Sequence, residues 1–301
     1  MVQINRVNTH IVPNRFEYHA PGSLDEAVEL LDKYGEEAQI LAGGTDLIPQ
    51  MKQRKAEPKH VVNIKGIPGL ACIEETPEGV KIGALAKLRA VELSPLIRER
   101  QSMLSEAAAS VGSIQIRNLG TIGGNICNAS PSADMATPLL ALDATVHIYG
   151  RDGDKACSIT EFFQGRGDVN LGRGEFITGF TVPFPPEGAG SAFEKVGWTT
   201  FDIATVNVAA MLTLKDGKVD LCSIALGACS PAPVKGVLAE AALIGKEPSV
   251  EALEEAVEFI AACVEPRERW RRAPPEYRRR SSQALAMDAL SRAVERARRS
   301  P

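Results

Sequence analysis

The chain has 301 residues, with 34 lysines and arginines against 38 aspartates and glutamates and a formal net charge of −4. No global basic field would draw it to nucleic acid, and the 44% hydrophobic and 24% charged content is that of a soluble globular protein large enough for two domains. No stretch approaches the roughly 20 apolar residues needed to span a bilayer, and residues 1–16 lack the apolar core of a secretion signal, so a cytoplasmic protein is expected.

The six cysteines, Cys72, Cys127, Cys157, Cys222, Cys229 and Cys263, form no C-x-x-C pair and no zinc or iron–sulfur spacing. The four histidines, His10, His19, His60 and His147, are scattered along the chain. No metal site built on this chain alone is expected.

In chain order, Ser23-Leu24-Asp25-Glu26 reads as a capping box opening a helix. Leu24, Ala27, Val28, Leu30 and Leu31 form its apolar stripe, and Gly35 lies near its end. Residues 38–42 form a short strand running into a first glycine turn, Leu41-Ala42-Gly43-Gly44-Thr45-Asp46-Leu47. A doubly wound dinucleotide fold would place G-x-G-x-x-G between strand and helix. Here that spacing is absent and Pro49 follows soon after, which argues against such a fold. Residues 60–64 and Gly79–Gly83 read as strands, and residues 91–111 as mostly helical.

A second glycine turn, Asn118-Leu119-Gly120-Thr121-Ile122-Gly123-Gly124-Asn125, comes next. Glycine can take positive φ there, and a Cβ at those positions would hold a ligand away from the backbone. Successive amides in a tight turn form an anion-binding concavity. Two such turns, followed by Asn128-Ala129-Ser130-Pro131-Ser132-Ala133-Asp134, suggest a dinucleotide held from two sides, with the amides of both converging on its diphosphate. Asp134 also suits, as the lesser alternative, the N-cap of a helix starting near Met135.

Residues 144–149 and Phe176–Val182 are further strands. Pro and Gly concentrate in residues 183–190, a linker candidate. Residues 206–214 and 219–227 pair around Asp216-Gly217, a hairpin turn. Helices are expected over 237–244, 250–264 and 281–298. The end of the chain is rich in arginine (Arg267, Arg269, Arg271, Arg272, Arg278, Arg279, Arg280, Arg292, Arg296, Arg298 and Arg299). Without aromatic stacking platforms these read as a solvated helix face or an interface.

These residues resemble the FAD-binding subunits of the molybdenum hydroxylases, the xanthine dehydrogenase and carbon monoxide dehydrogenase family, over nearly the whole chain. The likeness rests on Phe16-Glu17-Tyr18-His19-Ala20-Pro21 and both glycine turns, the second opening at Gln115-Ile116-Arg117. It also rests on Ser130-Pro131 with Asp134, Ala192-Phe193-Glu194-Lys195, Asp202-Ile203-Ala204 and Glu276-Tyr277-Arg278.

The resemblance implies an α+β fold. An FAD-binding PCMH or vanillyl-alcohol-oxidase-type domain over 1–182, with subdomains about 1–58 and 59–182, would precede an α+β C-terminal domain over 191–301 like that of the CO dehydrogenase flavoprotein. By resemblance, Ile40, Leu41, Ala42, Gly43, Gly44, Thr45, Asp46 and Leu47, with Thr121, Ile122, Gly123, Gly124 and Asn125, wrap the FAD diphosphate and ribityl chain. Asp134, Ile177 and Lys195 are further FAD contacts, and Asp202 and Ile203 approach the isoalloxazine ring.

The FAD would be non-covalent. Electrons would reach it from [2Fe–2S] clusters on a small partner subunit, a large subunit carrying the molybdopterin centre, and leave to an external acceptor such as NAD. A stand-alone flavin oxidase or reductase of the same fold, or a non-catalytic scaffold, are the competing readings. Residues 197–201 lack the basic residues often found there in relatives. No cysteine-rich insertion follows the first turn, so the extra cluster of the 4-hydroxybenzoyl-CoA reductase flavin subunit is not expected.

Overall fold

The computed structural model describes residues 12–266 and 273–299. His10, most of the stretch considered as a leader, and Arg267, Arg269, Arg271 and Arg272 lie outside the described residues.

Three packed units follow one another. In the first, β1 (Glu17–His19), β2 (Ala38–Leu41) and β3 (His60–Asn63) form a sheet in the order β1-β3-β2 with both pairs parallel. Parallel neighbours require a crossover, and the helix Leu24–Tyr34 supplies it between β1 and β2. Its Ala27, Val28 and Leu31 pack in one cluster with Val62 and Ile64. Ser23 Oγ accepts from the Glu26 amide at 3.2 Å, and Glu26 Oε2 accepts from the Gly22 amide at 2.7 Å, one residue outside the expected box.

The second unit is an antiparallel sheet, β4-β5-β10-β6-β7, built from β4 (Ile73–Thr76), β5 (Gly79–Gly83), β6 (Thr145–Gly150), β7 (Gly153–Ser158) and β10 (Phe176–Val182). A small ribbon of β8 (Phe163–Gly165) and β9 (Asp168–Val169) stands apart. Val80, Ile82, Val146, Ile148, Phe180 and Val182 bury one face of the sheet against Met103, Leu104 and Leu139. The helix expected over 91–111 is divided into Leu88–Leu93, Pro95–Arg100 and Ser102–Ser110. Pro95 has no amide to continue the first piece and suits the start of the next, where Ser94 Oγ accepts from the Ile97 amide at 3.4 Å.

The third unit is the antiparallel sheet of β11 (Gly190–Val196), β12 (Val206–Lys215), β13 (Lys218–Gly227) and β14 (Val234–Lys235). Asp216 and Gly217 join β12 to β13 with φ of 53° and 76°, the two left-handed residues that a tight hairpin prefers. Val206, Val208, Ala210 and Leu212 pack with Ala286, Ala289, Leu290 and Ala293 of the helix Pro275–Arg299. On the opposite face of β12, Ala209 and Met211 join the core of the second unit. The helix expected over 250–264 breaks at Phe259 into Val250–Glu258 and Ile260–Cys263.

Several terminal arginines work inside the fold. Arg278 is buried and donates to the carbonyls of Thr205 and Ala228. Arg296 meets Glu106 of the second unit at 2.5 Å, and Arg292 pairs with Glu106 and Glu194. Arg280 and Arg299 pair along their own helix with Glu276 and Glu295.

Candidate functional site

The three units enclose a cavity of about 1110 Å³, and both glycine turns line it. Sites for drug-sized ligands run to about 300–1,000 Å³, so this one suits a ligand of dinucleotide size. From the first turn come Ile40, Ala42, Gly43, Gly44, Thr45, Asp46 and Leu47; from the second, Thr121, Gly123, Gly124 and Asn125. Asp134 and Ile177 line it as well, and the loop before β12 adds Phe201, Asp202 and Ile203. Leu41, Ile122 and Lys195 do not reach the wall. Ile122 is fully buried, and Lys195 acts through Asp134.

The turns touch each other. A Cβ built on Gly43 would overlap the Leu119 carbonyl oxygen and stand 2.9 Å from Gly120 Cα. Gly44 has φ of +74°, and its Cβ would meet Leu41 Cδ1 at 3.2 Å and Ile48 Cγ1 at 3.3 Å. A Cβ on Gly123 would strike Ala84 at 2.7 Å. These glycines are therefore needed first for the approach of backbone to backbone and for a left-handed turn. This reason stands beside the expected one, that a Cβ would hold the ligand off.

The two turns also differ in the amides they offer. Among the described residues, the amides of Gly43, Gly44, Thr45 and Asp46 take no acceptor, while the Ile48 amide closes the turn on the Gly44 carbonyl at 3.1 Å. The second turn is the start of the helix Ile122–Cys127, capped by Thr121 Oγ1. Its Ile122 and Gly123 amides donate to the carbonyls of Ala86 and Ala84 at 3.0 and 2.9 Å, and its Gly124 amide donates to Thr121 Oγ1 at 3.1 Å. Free amides therefore come chiefly from the first turn, whereas the amides of both turns were expected to converge on the diphosphate. The second contributes shape and Asn125, whose Oδ1 is buried with no donor.

Behind the turns stand two ammonium groups that the sequence did not mark. Lys65 Nζ donates to the Ala42 carbonyl at 3.2 Å and Lys87 Nζ to the Leu119 carbonyl at 2.9 Å. Burial lowers the pKa of both, and the charge of Lys87 lowers that of Lys65 further. The cavity wall itself holds Glu36, Asp46, Asp134, Glu175 and Asp202 against Arg173, and burial raises the Asp46 carboxyl. An anionic ligand would thus be met by unpartnered amides in front and ammonium charge behind.

Two buried ion pairs position the walls. Arg117, next to the second turn, donates to Glu92 Oε2 at 2.7 Å and to the carbonyls of Val111 and Gly112 at 3.2 and 2.9 Å. Arg89 also pairs with Glu92. Burial pushes the Glu92 carboxyl up, but the hydrogen bonds and charges of Arg89 and Arg117 together hold it below the ordinary range. Asp134 receives Lys195 Nζ at 2.5 Å from β11 and Asn207 Nδ2 at 2.8 Å from β12. Burial pushes its carboxyl upward, with Lys195 and Asn207 opposing. Asp134 does not cap the following helix, whose N-cap is Met135.

The contact of three α+β units around a dinucleotide-sized, amide-lined cavity defines a flavin-binding fold of the non-Rossmann kind. The family of FAD-binding domains in molybdopterin dehydrogenases matches residues 14–185, and that of CO dehydrogenase flavoprotein C-terminal domains matches residues 191–293. The carbon monoxide dehydrogenase medium chain of Afipia carboxidovorans is 35% identical over 287 residues, covering 95% of this chain and 99% of that one. A putative xanthine dehydrogenase FAD-binding subunit of Escherichia coli is 33% identical, covering 92% and 95%.

Among solved structures, a carbon monoxide dehydrogenase of Hydrogenophaga pseudoflava superposes with a TM-score of 0.91 at 36% identity, covering 95% of this chain and 99% of that one. Quinoline 2-oxidoreductase of Pseudomonas putida gives 0.88 at 26%, covering 94% and 98%. The chain belongs to the FAD-binding subunits of the molybdenum hydroxylase family, and FAD is its cofactor. Among the described residues, no helix is long and apolar enough to cross a membrane.

Proposed function

We propose that the chain is the electron-transfer subunit of a molybdenum hydroxylase complex. It would take reducing equivalents from [2Fe–2S] clusters on a small subunit, beside a large molybdopterin subunit, and pass them to an external acceptor such as NAD. The observation that carries this reading is the cavity's composition. It is large, it is lined by both glycine turns, and the first turn brings free amides to it, which suits a bound cofactor that itself carries the chemistry. Relatives named as a medium chain and as an FAD-binding subunit agree with a role beside other subunits.

When bound, FAD supplies the redox chemistry, exchanging electrons singly and as hydride. This chain's residues bind and orient it. The amides of residues 43–46 would receive the diphosphate, with Lys65 and Lys87 adding positive field from behind. Asn125 Oδ1 would accept from a ligand hydroxyl and end its isolation. Asp134, held by Lys195 and Asn207, and Ile177, at a bulge of β10, would shape the opposite wall. Leu41 and Ile122 would act by packing beneath the turns. Asp202 and Ile203 would bring the third unit to the ring.

Purification of the chain alone tests the proposal. A yellow protein, bleached by dithionite and oxidising no organic substrate by itself, is expected. Its co-expression with a pterin subunit and a two-cluster subunit should give a complex that reduces an acceptor. Turnover of a small substrate by the isolated chain would overturn it in favour of a stand-alone oxidase or reductase.

A further inference from the structure

The edge of the first sheet carries a cluster outside the flavin cavity's wall. The parallel register sets Glu17 of β1 opposite His60 of β3, and His19, two residues along the strand, projects on the same side as Glu17. Three potential donor atoms meet there. His19 Nε2 lies 3.2 Å from His60 Nδ1, and Glu17 Oε2 lies 3.9 Å from His19 Nε2 and 3.5 Å from His60 Nδ1.

We infer that Glu17, His19 and His60 form a binding site for a divalent transition-metal cation of the zinc class. The triangle drawn through those three atoms has a circumradius of about 2.1 Å, the length of a zinc–nitrogen or zinc–oxygen bond. One point is thus at bonding distance from all three with no atom moved. Two imidazoles and one carboxylate form the borderline donor set that suits zinc and its neighbours rather than magnesium or calcium.

The imidazoles are held in place. Tyr34 stacks on His60 with ring centroids 3.5 Å apart and planes 13° from parallel, and on His19 at 5.2 Å and 28°. The two histidine side chains keep 19% and 12% of their surface, whereas Glu17 keeps 70%. The carboxylate closes the triangle from the solvent side and leaves a path of entry. Nearby, Lys59 is paired with Glu37. Tyr34 also lines the flavin cavity, so an ion here would fasten β1, β3 and one side of the cavity wall together.

The test uses the full chain with its FAD and no histidine tag, stripped with a chelator and dialysed against micromolar zinc. One equivalent of zinc is expected, with a zinc K-edge spectrum showing two imidazoles and no sulfur. His19→Gln and His60→Gln should lose the equivalent while keeping the parent FAD content. No uptake by the parent chain, uptake by both variants equal to the parent's, or sulfur in the coordination sphere would overturn the inference. The spectrum of the unaltered chain decides the matter even where a variant folds poorly.

Discussion

Gly43→Ala is the sharpest probe of how the two turns make one site. The added methyl would overlap the Leu119 carbonyl oxygen and stand 2.9 Å from Gly120 Cα, where carbon atoms normally sit about 3.5–4.0 Å apart. The turns must part by roughly 0.5–1 Å, and a ligand hydrogen bond of ordinary length stretched by that much is lost. One hydrogen bond to a charged group is worth about 1.5–3 kcal/mol, so FAD affinity should fall roughly 10- to 150-fold. Gly44→Ala is the control. At φ of +74° an alanine costs about 1–2 kcal/mol of backbone strain, but its methyl meets only side-chain atoms, Leu41 Cδ1 and Ile48 Cγ1, at 3.2 and 3.3 Å and no backbone. It should lower the melting temperature more than it weakens FAD. Apo-protein is titrated with FAD by fluorescence quenching, and melting is followed in parallel. FAD affinity unchanged in Gly43→Ala, or reduced more in Gly44→Ala, would refute the contact between turns as the reason for these glycines.

Lys65→Met and Lys87→Met should each weaken FAD. The effect is that of a removed positive charge near an anion, and added salt should shrink the difference; equal FAD affinity of parent and variants at low salt would remove the field argument. Glu92→Gln should destabilise the fold at neutral pH by about 3–5 kcal/mol, the cost of breaking a buried pair. Because the native Glu92 carboxyl is held below its ordinary value of 4.5, its contribution is fully present above that pH and is lost as pH falls through the lower native value. Urea denaturation should therefore show the gap between parent and variant closing in acid, and a gap constant with pH would count against the pair. Asp134→Asn, which leaves the Lys195 ammonium buried without its carboxylate, should cost a similar amount. Adding Lys195→Met should recover much of that loss, measured as a double-mutant cycle.

What could be read along the chain was whatever local chemistry decides. Asp216-Gly217 forms the hairpin because two left-handed residues suit it, and the Ser23 cap forms because its partner is three residues away. Ser94-Pro95 carried an equally local helix boundary that the apolar spacing of residues 91–111 concealed. The glycine turns announced themselves, but the reason for Gly43 and Gly123 lay in Leu119 and Ala84, distant residues with no signature of their own. Lys65 and Lys87 look like any surface lysines until their carbonyl partners are known. The histidines read as scattered because His19 and His60 are 41 residues apart, and only the parallel register of β1 and β3 makes them neighbours.

The same separation explains how the cavity is built. The groups that face it are mostly backbone amides, small polar residues and apolar side chains. Apart from Arg173 on the wall, four cations lie one layer back, each holding a wall element in place. Lys65 holds the carbonyl before the first turn and Lys87 the carbonyl beside the second. Arg117 ties the helix Ile114–Leu119, which presents that second carbonyl to Gly43, onto Glu92. Lys195 crosses from the third unit to Asp134 on the wall. A pyrophosphate contacting lysine side chains directly would depend on long, flexible chains finding one geometry. Amides fixed by the fold, with fixed charge behind them, need no such ordering when the ligand arrives. The arrangement also means that the third unit cannot shift without moving Asp134 and Asp202 together, so its docking and the shape of the cavity are one structural property.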